Sequence, residues 1–408
     1  MNPENLHPKS WQETTLGSTE VAEIIMGQSP DSSSYNADRM GIPFFQGKAD
    51  FGNIYPEERI WCSSPIKTAE INDILMSVRA PVGDVNINKE KSCIGRGVAA
   101  IRSTKKLNYM FLFFFLKNNR DELDRQGTGT TFKSINKTAL NDFQIILPPL
   151  PEQKKIAAVL FKIQQAIETQ EKILSSLREL KKSTMEYLFS HGTKGEKTKQ
   201  IAIDLNEIPL SDLGEIITGT TPPTANQEYY TGGGYQFIAP NDIGKTTKIY
   251  KTDRQITEKG LTVSRILPKY SVCFVCIGST IGKVGITISD KATTNQQINS
   301  IVTNNRFDPF YVTYLLDYHS NYIASFASPS PVPILSKGKF AEIPVKVTFD
   351  KTMQTQFAYN IRLLDDKIEL CELKKNNLNA LFNSMLNKLM TREIRVNNLD
   401  IDVSEITA

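Results

Sequence analysis

Between residues 147 and 190, apolar side chains recur at alternating steps of four and three: Ile156, Leu160, Ile163, Ile167, Leu174, Leu177 and Leu188. Gln170, Lys181 and Thr184 fill the remaining steps, and Lys, Glu and Arg occupy most positions between. That is a heptad seam on a helix. Pro148, Pro149 and Pro151 stop whatever precedes it, and Glu152 in the first turn suits the helix dipole. Neither Gly nor Pro follows until Gly192. The pattern predicts a rod over 151–190, about 58 Å long at ~1.5 Å per residue. A helix of that length cannot bury its stripe against itself and needs a partner helix.

The same steps return at Phe357, Ile361, Leu364, Ile368, Cys371, Lys375, Leu378, Phe382, Met385 and Leu389. Laying Ile156–Phe189 on Phe357–Met390 at an offset of 201 needs no gap and matches Ile167 to Ile368, Leu177 to Leu378 and Leu188 to Leu389. Two rods of one length and phase are an internal repeat, which sets the architecture first.

The segments before the rods read as strands, turns and short helices. Val21–Met26, Ile42–Gln46 and Asp73–Val78 are strand-like, Tyr109–Leu116 reads as a buried helix, and Gln126–Thr131 is a Gly/Thr-rich loop. After the first rod, Gly192–Gln200 is rich in Gly, Lys and Thr, lacks apolar residues and reads as a linker. The order then recurs: Leu213-Gly214 answers Leu16-Gly17, Gly219 answers Gly27, and Tyr235–Ile238 answers Ile42–Phe45. Val272–Ile277 answers Asp73–Val78, Ser279–Val284 answers Ala80–Val85, Tyr311–Leu316 answers Tyr109–Phe114, and Ile334–Lys337 answers Ser134–Lys137. The chain is globule, rod, globule, rod, with few identities between the globules.

Composition adds little. The 408 residues suit two or three domains, and a net charge of +4 is compatible with a nucleic-acid partner without requiring one. Cys62, Cys93, Cys273, Cys276 and Cys371 show no framework spacing, which points to a reducing cytoplasm. No signal peptide is evident, and the apolar run Phe111–Leu116 is too short to span a membrane.

Catalytic constellations are not legible. Gly278–Lys283 has three residues between its glycines and Val284 after the lysine, unlike a phosphate-binding loop, and reads as a turn between strands. Cys273 and Cys276 form a lone CxxC in an apolar run, better read as buried structural thiols than as a metal or redox site. His7, His191 and His319 are scattered.

The binding signal is electrostatic. From Asp242 to Lys291 there are nine Lys/Arg against four Asp/Glu, among Thr, Asn and Tyr250. This mixture suits phosphate contacts. Lys245, Lys248, Lys251, Arg254 and Lys283 are the candidates there, with Lys337 further on. In the first globule the candidates are Lys48, Arg79, Arg96, Lys133 and Lys137, beside glycines or in polar loops. Gln46, Asn241 and Gln296 carry amides able to pair with adenine in the major groove.

Several stretches together resemble the specificity subunits of type I restriction-modification systems. They are the junction LPPLPEQ at 147–153 with Lys-Lys-Ile-Ala at 154–157, DILMSVRAPVG at 73–83, GRGVAAI at 95–101 and GSTIGK at 278–283. The resemblance departs at Thr348–Gln356, where TFDKTMQTQ stands in place of the proline-rich junction. It implies a mixed α/β (α+β) fold with two target recognition domains alternating with two rods that pair as an antiparallel coiled coil. The expected domains are 1–150 and 208–350, with spacer helices at 151–190 and 351–392, a linker at 191–207 and a tail at 393–408. It also implies a non-catalytic, cytoplasmic chain that reads a bipartite site on double-stranded DNA. The implied partners are two modification (methyltransferase) subunits and restriction subunits, which would use S-adenosylmethionine, ATP and Mg, while this chain binds no cofactor, metal or membrane. The alternative is a coiled-coil scaffold whose globules bind protein, which the salt dependence of DNA binding would distinguish.

Overall fold

The computed structural model describes residues 11–129, 133–191 and 205–406. The linker predicted at Gly192–Gln200, the end of the loop Gln126–Thr131 and His7 lie outside the described residues. The chain divides into two compact units, Met1–Thr169 with Asn376–Ala408, and Gln170–Lys375.

The first unit holds an antiparallel sheet ordered Ala22–Met26, Val98–Ser103, Ile74–Ser77, Val85–Ile87. Ile74–Ser77 is buried along its whole length, as an unbroken apolar run implies for a strand covered on both faces. One cover is the helix Tyr109–Asn118, capped by the Asn108 carboxamide accepting from the Phe111 N–H at 3.0 Å and buried continuously from Met110 to Leu116. A second sheet contains Tyr35–Asn36, Trp61–Cys62, Ile42–Phe45, Ser92–Ile94 and Thr68–Ala69, with Ile42–Phe45 parallel to Ser92–Ile94. Gln12–Thr15 pairs antiparallel with Gln144–Leu147, which brings the start of the globule to the root of its rod.

The second unit repeats this plan. Gly214–Thr218, Ile298–Thr303, Val272–Val275 and Val284–Thr287 form the matching sheet, extended at its edge by Lys248–Ile249. Tyr235–Ile238 runs parallel to Lys291–Thr294, Asn206–Pro209 pairs with Pro344–Val347, and the helix Pro309–Tyr318 provides the cover.

The rods are single helices, Leu150–His191 and Lys351–Met390. Every seam position named above is buried or half-buried, the polar Gln170, Lys181, Thr184 and Lys375 included. In the first unit Ile156, Leu160 and Ile167 share a core with Phe382, Leu386 and Leu389. In the second unit Met185, Leu188 and Phe189 share one with Phe357, Ala358 and Ile361. The beginning of each rod therefore packs against the end of the other, so the coiled coil is antiparallel.

The departure at Thr348–Gln356 conceals a shared anchor. Gln153 accepts the Asn108 N–H at 2.8 Å and donates to the carbonyls of Lys106 and Pro148. Gln354 does the same with the Asp308 N–H at 2.8 Å and the carbonyls of Arg306 and Thr348. Both amides are buried, so each rod is tied by two hydrogen bonds to the turn that enters its covering helix and by a third to its own junction. The second junction caps its helix with the Asp350 carboxylate, which accepts from the N–H groups of Thr352 and Met353. At the first junction Trp11 and Arg395 both bind Glu152, so the C-terminal tail returns to the root of the first rod.

Three equivalences read from the letters shift in the structure. Leu210, rather than Leu213, takes the place of Leu16, since the two donate to the carbonyls of Ile343 and Phe143 respectively. Val272 corresponds to Ile74, not Asp73, because they face Ile301 and Ile101. Tyr311 corresponds to Phe111, since Asp308 and Asn108 cap these residues' N–H groups.

Candidate nucleic-acid interface

In the first globule four of the candidates come together. Gln46, Lys48, Arg79 and Arg96 line one cleft of about 200 Å³ with Ser29, Gly47, Ala80 and Gly97. The backbone fixes them. The Asp50 carboxylate accepts the Gln46 N–H at 2.7 Å, closing the turn after the strand Ile42–Phe45. Arg79 follows the strand Ile74–Ser77, with its neighbours held by Val78 N–H to Gly97 and Ala80 N–H to Lys133, 2.9 and 3.0 Å. The Arg96 N–H donates to the Ser29 hydroxyl at 3.2 Å. A side chain at Gly97 would meet the Gln46 carbonyl, its Cβ only 2.2 Å away, so this close approach of two turns requires glycine.

The cations there differ in what they already bind. Lys48 lies 3.6 Å from Asp84, which Arg120 also approaches at 3.0 Å. Lys133 donates to Asp124 at 2.6 Å, and this hydrogen bond holds the Asp124 carboxyl below its ordinary range. Lys133 sits beside the cleft only through its carbonyl, and Lys137 is exposed on the short helix Lys137–Asn141. Arg79 and Arg96 are exposed and have no carboxylate partner among the described residues.

The second globule distributes its candidates differently. Asn241 is exposed after the strand Tyr235–Ile238, and Gln296 is exposed with its Oε1 accepting from the Thr221 hydroxyl at 2.6 Å. Lys251 and Lys337 are exposed, and Lys283 lies against Gly244. Arg254 stacks over the Tyr230 and Phe237 rings, 4.9 and 5.6 Å from their centroids. Lys248, also a candidate, is turned toward the second rod. It pairs with Asp366 on the second rod, beside Tyr250 donating to Glu369 and Thr247 donating to Asp365. Burial opposes the Lys248 charge, but the Asp366 hydrogen bond and nearby carboxylates outweigh it and raise the pKa. Lys245 lines a cleft of about 270 Å³ with Lys181, Asp317, Asp365 and Glu369, again at the rod.

Ser29, Thr221, Gln153 and Gln354 were not singled out by sequence reasoning. The last two fall at the same 201 offset as the rods, three residues before the overlay began. Cys273, on the strand Val272–Val275, and Cys276, just after it, join different cores. Burial pushes both thiols up to about 12.

These features define a two-globule protein built on a duplicated scaffold. The family model for the type I restriction modification DNA specificity domain matches the chain twice, at residues 8–179 and 203–380. The chain belongs to that family and carries two copies of its DNA specificity domain. It is 46% identical to the putative type I restriction enzyme MjaX specificity subunit of Methanocaldococcus jannaschii over 45% of this chain and 43% of that one, less than half of the relative's length. With the MjaVIII specificity subunit of the same organism it shares 23% identity over 81% of this chain and 80% of the other. In fold it is similar to the type I S subunit from M. genitalium, with a TM-score of 0.69 and 17% identity, covering 93% of this chain and 96% of that one. No described helix is long and apolar enough to cross a membrane.

Proposed function

We propose that the chain reads a bipartite site on double-stranded DNA, one globule to each half-site. In this reading the paired rods are both the spacer and the seat for two modification subunits, with restriction subunits completing the assembly. The observation that carries it is the duplication itself. Strand register and rod anchor recur in both globules, while the cleft residues differ, which suits one scaffold presenting two reading surfaces. Exposed apolar residues on the rods of the second unit, Ile173, Leu180, Leu363, Leu370 and Leu373, support a protein seat there. So does the fold likeness, TM-score 0.54, to a chain from work on complex assembly and conformational transition of the type I R-M system. Methyl transfer and cleavage belong to the partners, which bring S-adenosylmethionine, ATP and Mg, and the assembly works in the cytoplasm. Replacing residues 208–350 with the corresponding domain of a relative, then sequencing the methylated motif, tests this. One half of the motif is expected to change and the other to persist; a change in both would overturn the modular reading.

A further inference from the structure

We propose that Arg79 and Arg96 form a guanine-reading pair in the first half-site, a step that rests on the DNA reading above. The other arginines of this globule are engaged elsewhere: Arg59, Arg102 and Arg120 each have a carboxylate within 3.0 Å, Arg39 lies over the Trp61 ring at 5.2 Å, and Arg125 donates to the Asp121 carbonyl. Arg79 and Arg96 have none among the described residues, yet they share one cleft with the Gln46 amide and the Ser29 hydroxyl. Their Cα positions are pinned by the backbone hydrogen bonds around Val78, Ala80 and Ser29, so the guanidinium groups start from rigid turns. A planar guanidinium presents two parallel donors, which match the O6 and N7 acceptors of guanine in the major groove. A phosphate anchor would need only positive charge. Here two guanidinium side chains line the same cleft as an amide that can take adenine N6 and N7, a grouping suited to base edges.

The second globule provides the contrast. Ile277 occupies the position of Arg79, each bridging to its own loop at Ile334 and Ser134. Gln296 occupies the position of Arg96, each following a residue whose N–H donates to the end of the parallel strand, at Ile238 and Phe45. The two half-sites therefore differ at the base pairs facing these positions, and only the first is read there by guanidinium.

The test uses the complex with its modification subunits. The parent motif is taken from methylome sequencing, and competition binding to duplexes altered one base pair at a time is run at two salt concentrations. The variants are Arg79→Lys, Arg96→Lys and the graft Arg79→Ile with Arg96→Gln. The parent's first half-site is expected to contain a G·C pair whose identity matters. Each Lys variant should lose roughly 10- to 100-fold discrimination at one such pair, with the salt slope and the second half-site unchanged. The graft should relax the same positions in the methylated motif. Full discrimination in both Lys variants overturns the guanine assignment. So does an even loss of affinity across all duplexes in the graft with a shallower salt slope, the mark of phosphate anchors. A parent complex with no sequence preference would instead defeat the broader DNA reading, so the two failures are separable.

Discussion

The two junctions between globule and rod use equivalent positions with opposite chemistry. In the first unit Phe114 meets Phe382 at 6.0 Å between centroids, and the Lys117 ammonium lies 5.5 and 5.2 Å from the Phe113 and Phe382 rings. In the second unit the matching positions hold Tyr314, Lys181 and Asp317. Lys181 lies 2.7 Å from Asp365 and 3.8 Å from Asp317, and the Tyr314 and Thr247 hydroxyls both donate to Asp365. One backbone plan is closed by aromatic packing at one end and by an ionic network at the other. The charges are also inverted, Lys117 on the first covering helix against Asp317 on the second. Each covering helix thus suits its own end of the rods, since Lys117 in the place of Asp317 would face Lys181.

The sharpest way to break the aromatic end is Phe382→Ala. The ring is 5% exposed, and its loss should cost about 3–5 kcal/mol in urea unfolding. A cost near that of a surface substitution would show that Phe114 and Lys117 close the gap alone. Lys181→Met should cost somewhat less, about 3 kcal/mol, by leaving Asp365 buried without its cation. Adding Asp365→Asn should recover part of that loss, and a double-mutant cycle measures the coupling; strict additivity would refute a network. Gln153→Ala and Gln354→Ala should each cost about 1–3 kcal/mol through the backbone N–H and carbonyl groups they leave unpaired. Similar costs at the two sites are expected, because the anchor is shared although the neighbouring junctions are not.

The smallest effect concerns Asp317. Burial raises its pKa, against the opposing pull of Lys181, so folding favours the protonated form. The stability from this group is full below the ordinary carboxylate range and is lost as pH rises through the raised value. Asp317→Asn should therefore be at least as stable as the parent at neutral pH, with the difference vanishing in acid. Chemical denaturation from pH 4 to 7 measures it, and a variant that is less stable at neutral pH would show that the Lys181 pair dominates.

Much of this protein was legible in its sequence. The seam of each rod was read residue by residue, because a helix writes its buried face at a spacing set by its own local geometry. Two copies of one phase then implied that the rods pair. The globules were legible only in their order of elements. Their strands pair across long separations, where a one-residue difference in a connection displaces any match made by letter, as at Val272 and Ile74. The tertiary structure alone decided which cations remain unpartnered. Lys248 and Arg79 look alike as basic residues in polar surroundings, but one folds against Asp366 and the other stands in a cleft without a carboxylate. It also decided that Gln153 and Gln354 do the same work despite dissimilar neighbours, because a buried amide is defined by the backbone groups around it.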